Sequence, residues 1–211
     1  MLLLAFDTAT PAITVAVHDG HSVVGEASGH GAMAHGELLA PAIRDAMAQA
    51  GAEMADLTDV AVGVGPGPFT GLRVGVVTAL TLGSSLGLKQ HGVCSLDIVA
   101  FGVQAESEHL VATDARRKEV YWARYAADGT RLDGPHVSVP AELAHQHPEL
   151  PTYGRGGVLY DGVLRPAGDA QDPSAAALAT AVAAGRAIEL PLEPLYLRRP
   201  DAVPQIVNNR A

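Results

Sequence analysis

Three short apolar segments open the chain, at residues 2–6, 13–17 and 23–27. The first ends at Asp7, and the second alternates in polarity and runs into the Asp19-Gly20 turn signal. Short apolar or alternating runs bounded by turn residues are typical of β-strands joined by tight turns. The pattern therefore predicts three strands, of which the last two form a hairpin.

A helical pattern follows the hairpin, over residues 35–50. Leu39, Ile43 and Met47 recur there at helical spacing, and Gly51 is a natural stop. The spacing predicts an amphipathic helix with these three side chains on its apolar face.

A second apolar run, at residues 60–64, predicts a buried strand. It leads into a loop rich in Gly and Pro, residues 65–71. The pattern then predicts a helix to about residue 86, a short strand at Val93 and a further helix capped by Ser95.

The second half of the chain repeats this order. Strands are predicted at 110–113, 120–125, 137–139 and 152–153, with a short helix at 141–145 before the last of them. A longer helix is predicted to begin with Asp172 as its N-cap and to end at Gly185. The tail, 191–211, is rich in Pro and is expected to pack along the surface.

Each half opens with a strand that ends in Asp, and the order strand–strand–strand–helix–strand–helix appears twice. Such doubling is the pattern of the actin-like and sugar-kinase-like ATPases, in which two lobes clamp a nucleotide between two phosphate loops. We therefore predict an α/β protein of actin-like, two-lobed fold. Its N-terminal lobe is expected to span residues 1–105 and its C-terminal lobe residues 106–211.

The 211 residues are 48% hydrophobic and carry a formal charge of -9. An acidic chain repels RNA and anionic lipid, so any nucleic-acid contact is expected to be local or through a partner. Cys94 is the only cysteine, which excludes an intrachain disulfide and cysteine-based zinc modules. No signal peptide and no run near the ~20 apolar residues of a membrane span is apparent, so we expect a cytoplasmic protein.

The first candidate loop holds Asp7, Thr8 and Thr10. In an actin-like fold, Asp7 can hold a magnesium-bound water while the two hydroxyls face phosphate. Alternatively, these side chains only satisfy the backbone of a turn. No glycine is present to let the backbone approach a phosphate closely, which argues for a weakened site.

The second candidate loop begins at Asp114 and also lacks glycine. It carries three consecutive cations, Arg116, Arg117 and Lys118. They can bind a phosphate or the tRNA backbone, or form a solvated turn with ion pairs.

The segment from Gly65 to Arg73 is the most distinctive of the chain. It fails the P-loop pattern because it has no Lys, and Thr70 stands where a dinucleotide fingerprint needs its third glycine. Gly65 and Gly67 can shape either an anion site at the start of a helix or a stiff structural turn.

The helix after this loop carries a ridge of small residues, Gly71, Gly75, Ala79 and Gly83, at i, i+4 spacing. Each interior Gly costs ~1 kcal/mol relative to Ala, so the ridge needs a compensating close contact. Leu72, Val76 and Leu80 run beside it. The ridge either packs on the protein's own sheet or accepts a helix of another subunit.

Metal and hydrolase chemistry are not supported by any motif. His30 and His35 miss the i, i+4 spacing of helical ligands, and no His-Glu-x-x-His or Gly-x-Ser-x-Gly motif occurs. We therefore expect no metal and assign no catalytic residue.

Five segments resemble, in order, the signature segments of the TsaB (YeaZ) family: residues 62–75, 4–10, 35–41, 114–121 and 194–198. Pro68 and Gly36 depart from this pattern, since Ser is commoner at both positions. The resemblance implies the actin-like fold and a non-catalytic role in forming N6-threonylcarbamoyladenosine in tRNAs that read codons beginning with adenine.

The resemblance also implies partners. In that system the catalytic paralogue TsaD, which has a metal-binding His-x-x-x-His, performs the transfer, and the small ATPase TsaE joins it. The family docks on TsaD through its two N-terminal helices, and this chain is expected to pair with a second copy when alone and to meet tRNA only through the complex. The implied interface carries over to these residues: Leu39, Ile43, Met47, Gly71, Leu72, Gly75, Val76, Ala79, Leu80 and Gly83.

The main alternative is an active actin-like ATPase or small-molecule kinase, against which the glycine-free loops argue. A metalloprotease and a tRNA-binding module using Arg116, Arg117 and Lys118 are further alternatives. With a degenerate nucleotide site at Asp7, Thr8, Thr10, Gly65, Gly67 and Asp114, we expect no tightly bound cofactor and at most weak nucleotide binding.

Overall fold

The computed structural model describes residues 1–31, 35–169 and 171–198, which form two mixed β-sheets with helices packed on them. The first sheet has the strand order β10-β5-β4-β1-β2-β3. Its strands are β1 (Leu3–Asp7), β2 (Ala12–His18), β3 (Val23–His30), β4 (Asp59–Gly65), β5 (Lys89–Cys94) and β10 (Glu189–Leu190).

The centre of this sheet is β1, which is buried along its whole length. It pairs antiparallel with β2, with Phe6 opposite Val15, and parallel with β4, with Phe6 opposite Val62. Because a central strand is covered on both faces, it is apolar throughout rather than alternating. This explains why residues 2–6 read as one continuous hydrophobic run.

Two long helices cover one face of the sheet: α1 (His35–Gln49) and α2 (Phe69–Leu86). The predicted apolar side chains of α1, Leu39, Ile43 and Met47, are buried in the same core cluster as Phe6. α2 ends at Gly87, which has φ +68° and donates its N–H to the carbonyl of Gly83. Glycine adopts this left-handed conformation without the Cβ clash that other residues meet, so it ends the helix cleanly.

The second sheet has the order β8-β7-β6-β9, with β6 (His109–Asp114), β7 (Val120–Tyr125), β8 (Arg131–Ser138) and β9 (Thr152–Tyr153). Antiparallel β6 and β7 place Val111 opposite Ala123. The helices α4 (Pro140–Gln146) and α5 (Arg155–Leu159) complete this unit. The predicted repetition of strand–strand–strand–helix–strand–helix is therefore present.

The end of the described chain returns to the first sheet. α6 (Ala175–Ala183) packs Leu178, Ala179 and Val182 against β1 and β2, and β10 pairs with β5. The sequence predicted one C-terminal lobe over 106–211, but the segment from α6 to β10 contributes its apolar side chains to the core of the N-terminal sheet.

One local prediction needs correction, and one short helix was not predicted. The N-cap of α6 is Ser174, whose hydroxyl accepts a hydrogen bond from the N–H of Ala177. Asp172, the predicted cap, instead forms an ion pair with Arg155. Since the pattern of residues 154–160 is dominated by glycine, α5 itself was not predicted.

The tail behaves as expected as far as residue 198. Leu195 donates its N–H to the carbonyl of Val64, and Arg198 donates to the carbonyl of Ala115, so the segment lies along both units. The remainder of the predicted tail, 199–211, lies outside the described residues.

Candidate functional site

The carboxyl group of Asp7 lies at the end of β1 and is almost completely buried. Its Oδ1 accepts a 2.7 Å hydrogen bond from the N–H of Ala9, and its Oδ2 accepts a 2.6 Å hydrogen bond from the hydroxyl of Ser95. Burial raises the pKa of Asp7 to about 6, although these two hydrogen bonds oppose the shift. Both oxygens that can serve a magnesium ion are therefore engaged by the chain itself.

Ser95 holds three segments together. Besides donating to Asp7, its hydroxyl oxygen accepts a 3.1 Å hydrogen bond from the N–H of Gly65 at the end of β4. The sequence predicted Ser95 as a helix cap, but the N-cap of α3 (Ser95–Phe101) is Cys94, and the Ser95 hydroxyl bonds to Asp7 and Gly65 instead. A Cβ on neighbouring Gly63 would fall 1.7 Å from Asp7 Oδ2, so glycine is required beside the carboxylate.

The glycine ridge of α2 faces the first loop rather than solvent. The hydroxyl of Thr8 donates a 2.8 Å hydrogen bond to the carbonyl of Gly71. A Cβ on Gly71 would lie 2.3 Å from the Thr8 carbonyl oxygen, and one on Gly75 would lie 2.4 Å from Thr8 Oγ1. The far end of the ridge, Gly83, is covered by the side chain of Gln90.

The interface predicted for this ridge is thus corrected by the structure, because the groove between its glycines is filled by the chain's own residues. The other members of the predicted set are buried in the same way, with Leu80 as the exception: Leu39, Ile43, Met47, Leu72, Val76 and Ala79. The compensating contact that the glycines require is made inside the protein.

Thr10 and Gly67 also serve internal packing. Thr10 Oγ1 accepts a 3.2 Å hydrogen bond from the N–H of Ala12, and the Thr10 carbonyl lies 2.8 Å from Nε2 of buried His35. A Cβ on Gly67 would lie 2.3 Å from the carbonyl oxygen of Ala9. The Gly-Pro loop therefore packs directly on the first loop.

The second loop has an unusual backbone. Arg116, Arg117 and Lys118 have φ values of 60°, 54° and 62°, so three consecutive non-glycine residues are left-handed. This conformation costs roughly 1–2 kcal/mol per residue. Part of the compensation comes from Asp114, whose Oδ1 accepts a 2.8 Å hydrogen bond from the N–H of Arg116. The three cationic side chains are exposed, which is compatible both with a solvated turn and with a contact to phosphate or tRNA.

The two loops approach each other closely. The space between them has a volume of about 10 Å³ and is lined by Ala9, Thr10, Pro11, Pro68, Asp114, Arg116 and Arg155. A cavity of this size holds about one water molecule, whereas small-molecule sites typically occupy about 300–1,000 Å³. In this arrangement the place between the loops has no room for a nucleotide.

The outer face of α2 is apolar and exposed. Phe69, Val77, Leu80 and Leu86 expose 41%, 57%, 40% and 40% of their surface. The helix has 18 residues and a mean hydropathy of 1.3, and only 33% of it is buried. By length and composition it is the one helix among the described residues that can cross a membrane, yet its inner side lies on β4 of a folded α/β unit.

The N-terminal end of this face, at Phe69 and Arg73, contacts the C-terminal segment. The guanidinium carbon of Arg73 lies 3.7 Å from the ring centre of Phe69, and the Phe69 ring stacks on Tyr196 at 5.1 Å. Arg73 Nε donates a 3.2 Å hydrogen bond to the Tyr196 hydroxyl. We call the exposed set Phe69, Arg73, Val77, Leu80 and Tyr196 the outer α2 face.

The sequence analysis did not predict most of this face because it assigned the interface of α2 to the ridge of small residues. Residues 69, 73, 77 and 80 also recur at i, i+4 or i, i+3 spacing, so a second stripe was visible on the same helix. An apolar stripe on a helix usually faces the core, so this pattern alone does not indicate that the stripe is the exposed side of α2.

No group of three His, Cys, Asp or Glu side chains that can hold a metal occurs in the described ranges. Buried His35 contacts the backbone of Thr10, and His30 lies on the edge strand β3.

Comparison with known proteins places these features in a family. A family model described as TsaD: tRNA N6-adenosine threonylcarbamoyltransferase matches residues 29–191. The protein named tRNA threonylcarbamoyladenosine biosynthesis protein TsaB of Escherichia coli is 30% identical over 226 residues, covering 94% of this chain and 95% of its own length. The chain belongs to the TsaB (YeaZ) family.

Two further proteins are similar to this chain over nearly their whole length. An uncharacterized protein of Mycobacterium tuberculosis is 46% identical, covering 97% of this chain and 95% of its own length. A crystal structure from Pseudomonas aeruginosa, described as similar to peptidase YeaZ, is 29% identical with a TM-score of 0.78 and covers 93% of this chain and 99% of its own. The predicted TsaB resemblance and the predicted actin-like α/β fold class are confirmed.

Proposed function

We propose that this chain is a non-catalytic subunit required for N6-threonylcarbamoyladenosine formation in tRNA, and that it acts by docking on the catalytic paralogue TsaD and activating it. The names of its TsaB relatives support a role in threonylcarbamoyladenosine biosynthesis. The observation that carries the docking role is the outer α2 face, on which Phe69, Val77 and Leu80 are exposed on the same side of one helix. Exposed apolar patches of this kind mark sites of protein association.

The state of Asp7 supports a subunit without independent phosphate chemistry. The Asp7 carboxyl group is almost completely buried, and each of its oxygens already accepts a hydrogen bond from the chain itself, from Ala9 and from Ser95. The 10 Å³ space between the loops points in the same direction. We therefore infer no tightly bound cofactor and at most weak nucleotide binding.

The chemistry of the outer α2 face suits a helical partner. Val77 and Leu80 offer an aliphatic centre, and Phe69 with Tyr196 offers aromatic surface beside the cationic Arg73. Aromatic and Arg side chains next to an apolar centre are typical of the residues that dominate protein interfaces. In the absence of TsaD, we infer that the same face pairs with a second copy of the chain.

We infer how the chain meets tRNA and TsaE from its net charge and from its family. A chain with a net charge of -9 is a poor partner for free tRNA, so tRNA is met through the complex, to which the ATPase TsaE also belongs. The site of action is cytoplasmic, and no membrane contact is part of the proposal.

Reconstitution tests this function. TsaD, TsaE, tRNA and the threonylcarbamoyl donor are incubated with and without this chain, and the modified nucleoside is quantified by mass spectrometry after digestion of the tRNA. The proposal predicts that omission of the chain nearly abolishes the product, because TsaD alone lacks its activating contact. Equal yields in the two mixtures would reject the proposal.

A further inference from the structure

The cationic second loop borders the N-terminal end of the outer α2 face. Pro68, which directly precedes that face, and Arg116 line the same 10 Å³ space between the two loops. The C-terminal segment makes a second connection, because Tyr196 of the face is two residues, at most about 7 Å, from Arg198. The guanidinium of Arg198 donates a 3.0 Å hydrogen bond to the carbonyl of Ala115. A partner seated on the outer α2 face therefore has the second loop at its edge.

The backbone of this loop is a closed turn between β6 and β7. Ala115 donates its N–H to the carbonyl of Glu119, and Glu119 donates its own N–H to the carbonyl of Arg116, both at 3.0 Å. The three cations at 116–118 lie inside this turn with their side chains exposed. A ligand that binds them does not have to order the backbone that carries them, which lowers the cost of binding.

The residue types in this turn are not those that its conformation favours. Every other positive φ among the described residues belongs to a glycine, which adopts it without a Cβ clash. Glycine at positions 116–118 would relieve the same strain, yet each of the three positions carries a long cationic side chain. Strained backbone of this kind is concentrated at functional sites. This points to a role for the charges themselves, beyond shaping the turn.

The carboxylates that flank the cations do not cancel their charge. Glu119 forms an ion pair with Arg198, outside the turn. Asp114 Oδ2 lies 3.7 Å from Nε of Arg116, whose side chain is 60% exposed, and an ion pair at such exposure is weak. Lys118 forms no ion pair with any carboxylate in the described ranges. On a chain with a net charge of -9, the turn is therefore a local positive patch.

The chemistry of this patch suits phosphate better than a protein surface. Residues 114–119 contain no aromatic or large aliphatic side chain that could anchor a protein partner, and Lys is depleted in protein interfaces. Exposed Arg and Lys side chains are the usual contacts to phosphate oxygens of nucleic acids. The relatives of this chain take part in threonylcarbamoyladenosine biosynthesis in tRNA, so the polyanion at hand is tRNA.

We propose that, in the complex with TsaD, Arg116, Arg117 and Lys118 contact the phosphate backbone of the bound tRNA. This rests on the proposed function, because docking on the outer α2 face is what brings the loop to the tRNA. The isolated chain repels tRNA through its net charge. Within the complex, tRNA held by the partner is present at a high effective concentration, so a local contact adds to its affinity.

The test is the tRNA affinity of the reconstituted complex of TsaD and this chain, measured by fluorescence anisotropy with a labelled, unmodified tRNA over a range of KCl concentrations. Lys118→Gly removes a charge at a position whose φ of 62° suits glycine, so the variant should unfold at the same temperature as the wild type or higher. It should nevertheless lower the slope of log K against log[KCl] by about 1 and weaken tRNA binding about threefold. The double variant with Arg116→Gly should lower the slope by about 2.

The matched control is Lys89→Gln, which removes one exposed cation at the opposite end of the first sheet, where Lys89 pairs with Asp59 and Asp59 with Leu3. It should leave the salt slope unchanged. A wild-type slope in a double variant that still binds TsaD would overturn the phosphate contact and leave the docking function intact.

The affinity for TsaD without tRNA separates the remaining outcomes. It should be the same for the wild type and both loop variants. Weaker TsaD binding by the loop variants would assign the loop to an acidic protein surface and refute the tRNA contact. Failure of the wild-type chain to bind TsaD would instead reject the docking function, and this inference with it.

Discussion

The hydroxyl of Ser95 donates a 2.6 Å hydrogen bond to Oδ2 of Asp7, across 88 positions of sequence. This bond joins the first residue of α3 to the last residue of β1, where the fold places its first phosphate loop. It holds the Asp7 carboxyl group in place as a buried structural group. The consequences of this arrangement can be measured without a ligand.

Replacing Ser95 with Ala should lower the free energy of unfolding by about 1–3 kcal/mol. The change leaves buried Asp7 Oδ2 without its donor and removes the acceptor for the N–H of Gly65. Urea denaturation measures the loss. Ser84→Ala, at an exposed position of α2, serves as the control and should be neutral or slightly stabilising. A neutral Ser95→Ala variant would mean that the bond is not important for stability.

The contribution of Asp7 to stability should fall as the pH rises from about 4 to about 6. The pKa of Asp7 is raised in the folded chain from 3.8 to about 6, so in this window the folded state keeps a proton that the unfolded state has lost. The difference corresponds to roughly 3 kcal/mol lost across the window. Asp7→Asn, which cannot titrate, should flatten this part of the curve relative to the wild type. Parallel curves for the two proteins would contradict the assigned pKa.

A substitution in the glycine ridge should lower the stability of the chain rather than weaken its association with a partner. Gly75→Ala places a Cβ 2.4 Å from Thr8 Oγ1 and should destabilise the chain by about 1–3 kcal/mol. The matched control is Gly36→Ala on α1, where a Cβ meets nothing within 4 Å and helix propensity favours Ala. Thermal unfolding of both variants measures the difference in their stability. If Gly75→Ala kept full stability but lost TsaD binding, the ridge would be an interface after all.

Nucleotide should bind the isolated chain weakly if it binds at all. Calorimetry with ATP and magnesium is expected to show no micromolar binding, because the 10 Å³ space between the loops must open first and Asp7 is already engaged. Micromolar binding together with turnover by this chain alone would revive the ATPase or kinase alternative.

The sequence revealed the fold better than it revealed the surfaces. Most strands and the two long helices were predictable because they have a clear period or a clear stop, such as Gly51. However, β8 was predicted only at 137–139 although it spans Arg131–Ser138, and β10 was not predicted. The resemblance at residues 62–75 supplied the family. α5 escaped prediction because residues 154–157 include three glycines and no apolar stripe.

The direction in which the small residues face could not be predicted in the same way. Gly71 and Gly75 are equally compatible with an internal contact and with a partner helix, and only the position of Thr8 decides between them. Ser95 and Asp7 are likewise unremarkable as separate residues, since their meeting depends on the parallel pairing of β1, β4 and β5. Pairings between distant segments carry no local signal.

Docking through the outer α2 face is the central claim, and the affinity of this chain for TsaD tests it most directly. Val77→Asp puts a charge at the centre of the face, on a side chain that is 57% exposed and so not needed for folding. Val158→Asp makes the same change at an exposed position of α5 and is the control. The account predicts that Val77→Asp weakens TsaD binding at least about tenfold while Val158→Asp binds as the wild type does. Wild-type affinity of a folded Val77→Asp variant would contradict it.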